Sequence, residues 1–499
     1  MRLLYTWLAL LAPALPGASL EAEIQSIIEN EPAARHAAWG IEVAEARSGR
    51  RLFQLNADSH FIPASTVKLF VSALALTRLG PDYRFETLVT APEAPDAEGR
   101  ISGDVTLVGK GDPTVSGRQF PYRKGPATGN PLAPLEDLAD QMLARGVRII
   151  EGDIVGDDSA YVWEPYADGW SQDDLLWDYG APVSALPFNE SAIAVTVQPA
   201  AVEGQPPSIF FAFPPTTLEL VNRITTAAGG PSRLFVHRLP GSGARVLWGS
   251  LSKTSPPQKL NLALDDPALT AASLFAGALR RRGIQITGQA RARHLMPWER
   301  PGPGEAAGMP PPATSVVARR LSPPLLELLR VLNKDSNNLY AEVVLREVGR
   351  TRRNAGTAAA GLLELEAFLT ACGIPAGSYS FDDGSGLSRR NLASPSAVTA
   401  LLACMHRSDY RADWISTLAA AAQDGTLESR FRNSPGSGRI RAKTGALAHS
   451  SALSGYVLGE VDGGEDVVFS ILVNNHTARS AQVRAVIDRI VVAILGPGN

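Results

Sequence analysis

Cysteine is scarce in this chain: there are two in 499 residues, Cys372 and Cys404. Neither falls in a C-x-x-C or other ligand spacing, which leaves no basis for a thiolate metal site or a dithiol redox motif. Whether the two are bridged stays open. An oxidising compartment permits a disulfide, yet Cys404 sits in the apolar stretch "AVTALLACM", where a buried free thiol fits as well. Histidine is sparse too, with seven scattered copies and no H-x-x-x-H pair, which argues against a zinc centre. Positive charge is not in excess: 47 Lys and Arg face 50 Asp and Glu, a formal net charge of -3. With no basic run of useful length, a nucleic-acid partner is not expected. Beyond the N-terminus no apolar run reaches 18 residues, so no transmembrane span is expected in the mature chain.

The N-terminus itself is informative. "MRLLYTWLALLAPALPGAS" has a basic start at Arg2, an apolar stretch from Leu3 to Leu15, then Gly17, Ala18 and Ser19. That is the layout of a cleavable export signal over residues 1–19, with an apolar part too short to span a bilayer comfortably. No Cys follows it, so lipid attachment is not indicated. The expected location is outside the cytoplasmic membrane, in a periplasm or its equivalent.

A chain of this length exceeds what one hydrophobic core usually supports. "EAEIQSIIENEP" reads as a short helix and "WGIEVAEARSGRRLFQLN" as a hairpin turning at Arg47–Arg50. "VKLFVSALALTRLG" reads as an apolar helix stopped by Gly80-Pro81. Near the C-terminus, "GRIRAKTGAL", "SALSGYVLGE" and "EDVVFSILVNN" are strand-like, and "ARSAQVRAVIDRIVVAIL" is an amphipathic closing helix. Strands at both ends predict one antiparallel sheet flanked by helices, an α+β fold. The middle, from 83 to 297, is richer in strands and contains one clear helix, in "DPALTAASLFAGALRRRGIQITG". A Pro/Gly-rich linker, "MPWERPGPGEAAGMPPPATS", follows it.

Three short patterns carry chemistry. "ASTVKLF" places Ser65 and Lys68 three residues apart at a helix start, where the amine can take the hydroxyl's proton during attack on a carbonyl. An ordinary lysine, with a pKa near ~10.4, is a poor base, so burial or a second cation must lower it. A serine cap beside a solvated lysine has the same spacing, and S-x-x-K recurs at Ser250–Lys253, where Pro256-Pro257 follow and no helix can continue. "KDSNNLYAEVVL" contains Ser336-x-Asn338, and "RIRAKTGAL" contains Lys443-Thr444-Gly445. Each alone reads equally as a helix cap or a polar strand end. In this order, all three together are a poor fit to chance.

The set resembles the signature of penicillin-recognising serine enzymes. More closely, the chain looks like the D-Ala-D-Ala carboxypeptidases/endopeptidases of the low-molecular-mass, class C penicillin-binding proteins. "LVGKGDPT", "YGAPVSALPFN", "DDGSGLSRRNLAS", "DGTLESR" and "LSGYVL" support the likeness. It implies a β-lactamase/transpeptidase-like catalytic domain, here 20–82 with 298–499. Two mainly β domains are inserted, at 83–171 with 263–297 and at 172–262.

The resemblance also implies roles. Ser65 would attack the penultimate D-Ala carbonyl, with Lys68 as base. Ser336 and Lys443 would pass a proton to the leaving amine, and Asn338 would bind substrate and help hold Lys68. Lys443 and Thr444 would bind the terminal carboxylate, and Lys443 would also keep Lys68 low by like-charge repulsion. Gly445 would let the substrate backbone approach the strand, and the N–H groups of Ser65 and Ala446 would form the oxyanion hole. The centre of the second motif is Asn337 where Asp is more usual. Asp157, in "GDDSAY", is a weaker candidate for peptide contact, set against a turn or cap role. No cofactor or metal is implied. Expected partners are peptidoglycan stem peptides ending in D-Ala, with β-lactams as acylating inhibitors. A β-lactamase, or a quiet penicillin-binding sensor, is the alternative.

Overall fold

The computed structural model of the chain describes residues 19–33, 35–125, 127–239, 241–300, 315–459 and 465–496. Except for Ser19, the export segment lies outside them, as does most of the Pro/Gly-rich linker. The first helix, α1 (Leu20–Glu29), begins at Ser19, whose hydroxyl accepts the Ala22 N–H at 3.3 Å. Then come β1 (Ala38–Glu45) and β2 (Arg51–Leu55), the hairpin read from the sequence. Helix α2 (Val67–Leu79) ends at Gly80, whose positive φ stops it.

Both chain ends build one sheet. β3 (Ala419–Ala420), β4 (Ile440–Leu447), β5 (Ser450–Val457) and β6 (Val467–Asn474) join it in the order β3-β4-β5-β6-β1-β2, every pair antiparallel. All eight residues of β5 are buried, as a central strand covered on both faces must be. Further helices are α3 (Asn338–Arg353), α4 (Pro395–His406) and α5 (Ser480–Ile494). α1 and α5 cover one face through Ile24, Val483 and Ile487, which meet Ile41, Leu453 and Ile471 of the sheet. α2, α3 and α4 belong to the layer on the other face, where Phe70, Leu74, Val344 and Leu402 share a core with Tyr456 and Val468. The expected α+β architecture is therefore present.

Between α2 and α3 lies a five-stranded mixed sheet, ordered 290–295, 154–162, 105–109, 86–91, 315–321. Among the described residues, three smaller three-stranded sheets accompany it. Residues 315–321 pair with 86–91, so on this pairing we place the return to the first unit near residue 322 rather than at 298. The helix Ala133–Ala144 was not anticipated. Its Leu135, Leu138, Ala139 and Met142 lie fully buried at helical spacing. One continuous apolar cluster joins Leu107 and Phe275 to Val195 and Leu247, across both inserted segments.

Cys372, which ends the helix Ala358–Ala371, is bridged to Cys404 of α4, with Cα atoms 5.8 Å apart. Closing a loop with a sequence separation of 32 restricts the unfolded chain, an effect worth about 3.7 kcal/mol for a loop of this length. The double variant Cys372→Ser/Cys404→Ser should unfold at lower denaturant than the oxidised protein, with penicillin acylation intact before unfolding. Equal midpoints would show the bridge to be without weight.

Candidate active site

Ser65 lies in a short 3-10 turn, Ala64–Thr66, that feeds directly into α2. Ala64 is held at φ +48, a left-handed value that an L side chain resists. The turn lies against β4. A Cβ on Gly445 would meet the Pro63 carbonyl oxygen at 2.7 Å and Ala64 Cβ at 3.2 Å. The close approach that Gly445 permits is therefore made by the nucleophile's own turn, where the sequence suggested the substrate backbone.

Lys68, one turn on, is fully buried. Its ammonium donates to Ser65 Oγ at 2.9 Å, to Asn338 Oδ1 at 2.6 Å and to the Ser385 carbonyl at 2.5 Å. Burial lowers its pKa from 10.5 to about 7, while the charges of Asp383 and Glu342 pull it back up. Those carboxylates are themselves well held. Glu342 accepts the N–H groups of Gly384 and Ser385 and pairs with Arg346 at 2.8 Å. Asp383 accepts from Gly386, Ser388, Asn391 and Trp170.

Lys443 is equally buried and donates to Ser336 Oγ at 2.8 Å and to the Thr444 carbonyl at 2.7 Å. Burial, then the positive charge of Lys68, holds its amine well below the ordinary lysine value. The repulsion thus acts on Lys443, whereas the sequence suggested that Lys443 would lower Lys68; at Lys68 burial is the cause that lowers the amine, and at Lys443 burial is the larger one. Ser336 has φ +60, a second strained position beside the first motif. It is not the helix cap: Asn337 takes that role, accepting the Tyr340 N–H at 3.1 Å and donating to Glu190 at 2.8 Å. An Asp there would set two carboxylates against each other, which accounts for the amide in place of the usual acid. Asn338 opens α3 and donates to the Tyr179 carbonyl at 2.7 Å.

Thr444 bonds Thr426 at 3.0 Å, and Ala446 is exposed farther along β4. β3 pairs only with Arg441 and Ala442. From Lys443 onward the outer edge of β4 therefore faces no strand among the described residues, which leaves that edge open to an extended ligand apart from the Thr444 carbonyl, held by Lys443. Asp157 is placed otherwise: buried within the strand Ile154–Val162, it accepts the Ser159 N–H and faces Arg293. "DGSGLS" does form a tight wall turn, with Gly386 at φ +80. The carbonyl of Ser385 as a lysine acceptor, and Thr426 beside Thr444, were not singled out. Their segments were, but sequence does not show which backbone atom a fold will turn inward. No cluster of acidic, His or Cys side chains suited to a metal occurs among the described residues.

The family model described as D-Ala-D-Ala carboxypeptidase 3 (S13) matches residues 20–494. The chain belongs to this peptidase family. A D-alanyl-D-alanine carboxypeptidase from Actinomadura sp. (strain R39) is 33% identical over 485 residues, covering 93% of this chain and 84% of that protein. The D-alanyl-D-alanine carboxypeptidase of Haemophilus influenzae is 24% identical, over 85% of this chain and 82% of its own. The crystal structure of penicillin-binding protein 4 from Haemophilus influenzae superposes with a TM-score of 0.78 at 22% identity, covering 95% of this chain and 98% of that one. That agreement shows a shared fold over nearly the whole chain.

Two measurements probe this S13 site. Lys68 must be neutral to accept a proton, so penicillin acylation should rise with pH through about 7 and level off above it. A profile flat from pH 5 to 9 would remove Lys68 as base. Gly386→Ala would drive a methyl to 2.0 Å from the Ala64 carbonyl oxygen, from a left-handed backbone. It should slow acylation at least tenfold, read by stopped-flow with a labelled penicillin.

Proposed function

We propose that the protein is an exported serine-type D-Ala-D-Ala carboxypeptidase that trims peptidoglycan stem peptides, and cleaves their cross-links, through an acyl-enzyme at Ser65. The observation that carries this is the 2.9 Å contact between Ser65 Oγ and the buried Lys68 amine. In the first step neutral Lys68 takes the hydroxyl proton as Oγ adds to the carbonyl of the penultimate D-Ala. The N–H groups of Ser65 and Ala446 receive the oxyanion, a contribution of about 2.7–4 kcal/mol per donor in comparable enzymes.

The C–N bond then breaks. The leaving amine receives its proton by way of Ser336, which Lys443 holds at 2.8 Å. Thr444 and Lys443 suit the terminal carboxylate, and Asn338 an amide of the peptide. Water, activated in the same way, attacks the ester, freeing the shortened peptide and restoring Ser65. A β-lactam carbonyl presents the same target, and the ring nitrogen stays tethered after opening, so a stable acyl-enzyme is the expected product.

Mass spectrometry after penicillin treatment should show one adduct on the peptide carrying Ser65. Ser65→Ala should lose both the adduct and D-Ala release from a pentapeptide. Adduct without D-Ala release in the unaltered protein would favour a penicillin-binding sensor, and rapid β-lactam turnover a β-lactamase.

A further inference from the structure

The inserted region presents a sheet face that the chemistry at Ser65 does not use. Strands Leu220–Ala227, Arg245–Ser252 and Arg233–Arg238 form a three-stranded sheet with Arg245–Ser252 at its centre. Ile224, Leu247 and Leu251 point into the apolar core, so the alternate residues make up the opposite face. Pairing sets these in three rows. Arg223, Trp248 and Phe235 form the middle row, Thr225, Ser250 and Arg233 one flank, and Val221, Val246 and His237 the other. Trp248 and Phe235 keep 40% and 42% of their surface in solvent. Their rings stack at 4.4 Å, and the indole N–H donates to His237 Nδ1 at 2.7 Å. His237 also stacks on the indole, at 5.7 Å. Both ring partners come from the strand Arg233–Arg238. From the strand Leu220–Ala227 no ring or cation stacks on Trp248 among the described residues, and its pairing neighbour there is Arg223.

Size and charge narrow the occupant. Strand spacing and rise make the face roughly 300 Å², well under the about 800 Å² that each side of a stable protein interface buries. That is too little for a protein partner or a second copy, but enough for one or two sugar rings. The C–H groups on one side of a pyranose suit the negative face of an indole held rigid in this way, and its hydroxyls suit Ser250 and Thr225. Arg223 and Arg233 are exposed and make no ion pair among the described residues, and none of the nine positions is acidic. The face is therefore positive in a chain of net charge -3, which complements a glycan that carries carboxylates. We infer that it binds the glycan strand of peptidoglycan, with a sugar ring on Trp248 and a stem carboxylate on Arg223 or Arg233. The choice of polymer rests on the function proposed above. The strand Arg233–Arg238 packs against the turn Asp174–Leu176, and the chain then runs to Tyr179, whose carbonyl accepts from Asn338 in the site. Binding on this sheet tethers the enzyme to its polymer and raises the effective concentration of stems at Ser65.

Sedimentation with purified peptidoglycan sacculi tests it, using full-length protein with penicillin present to occupy Ser65. Trp248→Ala and the double variant Arg223→Glu/Arg233→Glu should each bind at least fivefold more weakly. Penicillin acylation and D-Ala release from a soluble pentapeptide should stay unchanged, and Trp248→Phe should keep most of the binding. On glycan strands stripped of their stems by an amidase, the loss in Trp248→Ala should persist and the loss in the arginine variant should vanish. Undiminished binding in both variants overturns the inference and reduces the aromatic pair to a cross-strand contact that steadies the sheet. Loss in Trp248→Ala alone overturns the carboxylate contact, and loss in the arginine variant alone overturns the sugar stack. Binding by the unaltered protein that disappears once phosphate-bearing polymers are removed from the sacculi overturns the glycan as occupant. If Trp248→Ala melts early and loses pentapeptide activity, the arginine variant decides, since its side chains are exposed and outside any ion pair. Protein that sediments through Trp248 yet releases no D-Ala removes the function proposed above and leaves this face in place. Protein that releases D-Ala and does not sediment removes this inference alone.

Discussion

A lysine amine sealed from water, with its hydrogens aimed at a serine hydroxyl, is what the rest of this structure serves. An ammonium in water is strongly solvated and gives up its proton reluctantly; enclosed among apolar helices, it loses that solvation and its charged form becomes costly. Lys68 lies on a helix whose residues 67 to 76 are all buried. Three acceptors hold it: Ser65 Oγ, Asn338 Oδ1 and the Ser385 carbonyl. The nearby carboxylates Glu342 and Asp383 do not touch the amine. Backbone N–H groups and Arg346 satisfy Glu342, while backbone, Asn391 and Trp170 satisfy Asp383. They moderate the depression of the amine without forming the direct ion pair that would keep it charged.

Around that centre, strain and small residues do the positioning. Ala64 and Ser336, one before the nucleophile and one opposite Lys443, both carry positive φ. Such backbones persist only where neighbouring contacts over-determine them. Gly445 and Gly386 supply the close approaches on either side of the Ala64–Thr66 turn, against Pro63 and the Ala64 carbonyl. Asn337 caps α3, which frees Ser336 to face Lys443. The inserted region contributes directly through Tyr179, whose carbonyl accepts from Asn338, and Glu190, which anchors Asn337.

Much of this was legible beforehand because hydrophobic period and turn chemistry are local. The hairpin at residues 38–55, the stop at Gly80 and the closing helix 480–494 all follow from patterns within a few residues. The helix Ala133–Ala144 carries the same local signal, with Leu135, Leu138, Ala139 and Met142 at helical spacing in an otherwise strand-rich region. The pairing of the strand 315–321 was harder. A strand such as 315–321 chooses its partner by which sheet edge the fold leaves open, and nothing inside the strand records that choice.

The order and identity of the three motifs named the chemistry, because a hydroxyl, two amines and an amide in those short frames have few joint uses. Their nearness is a different kind of fact. Residues 68, 338, 385 and 443 meet only once both chain ends share a sheet and α2 is packed against α3. Lys68 and Lys443 drop below ordinary lysines because that packing buries them. The disulfide likewise needed the end of the helix Ala358–Ala371 brought to α4 before either cysteine had a partner. Desolvation and long-range contact are properties of the assembled chain, and no short stretch of residues contains them.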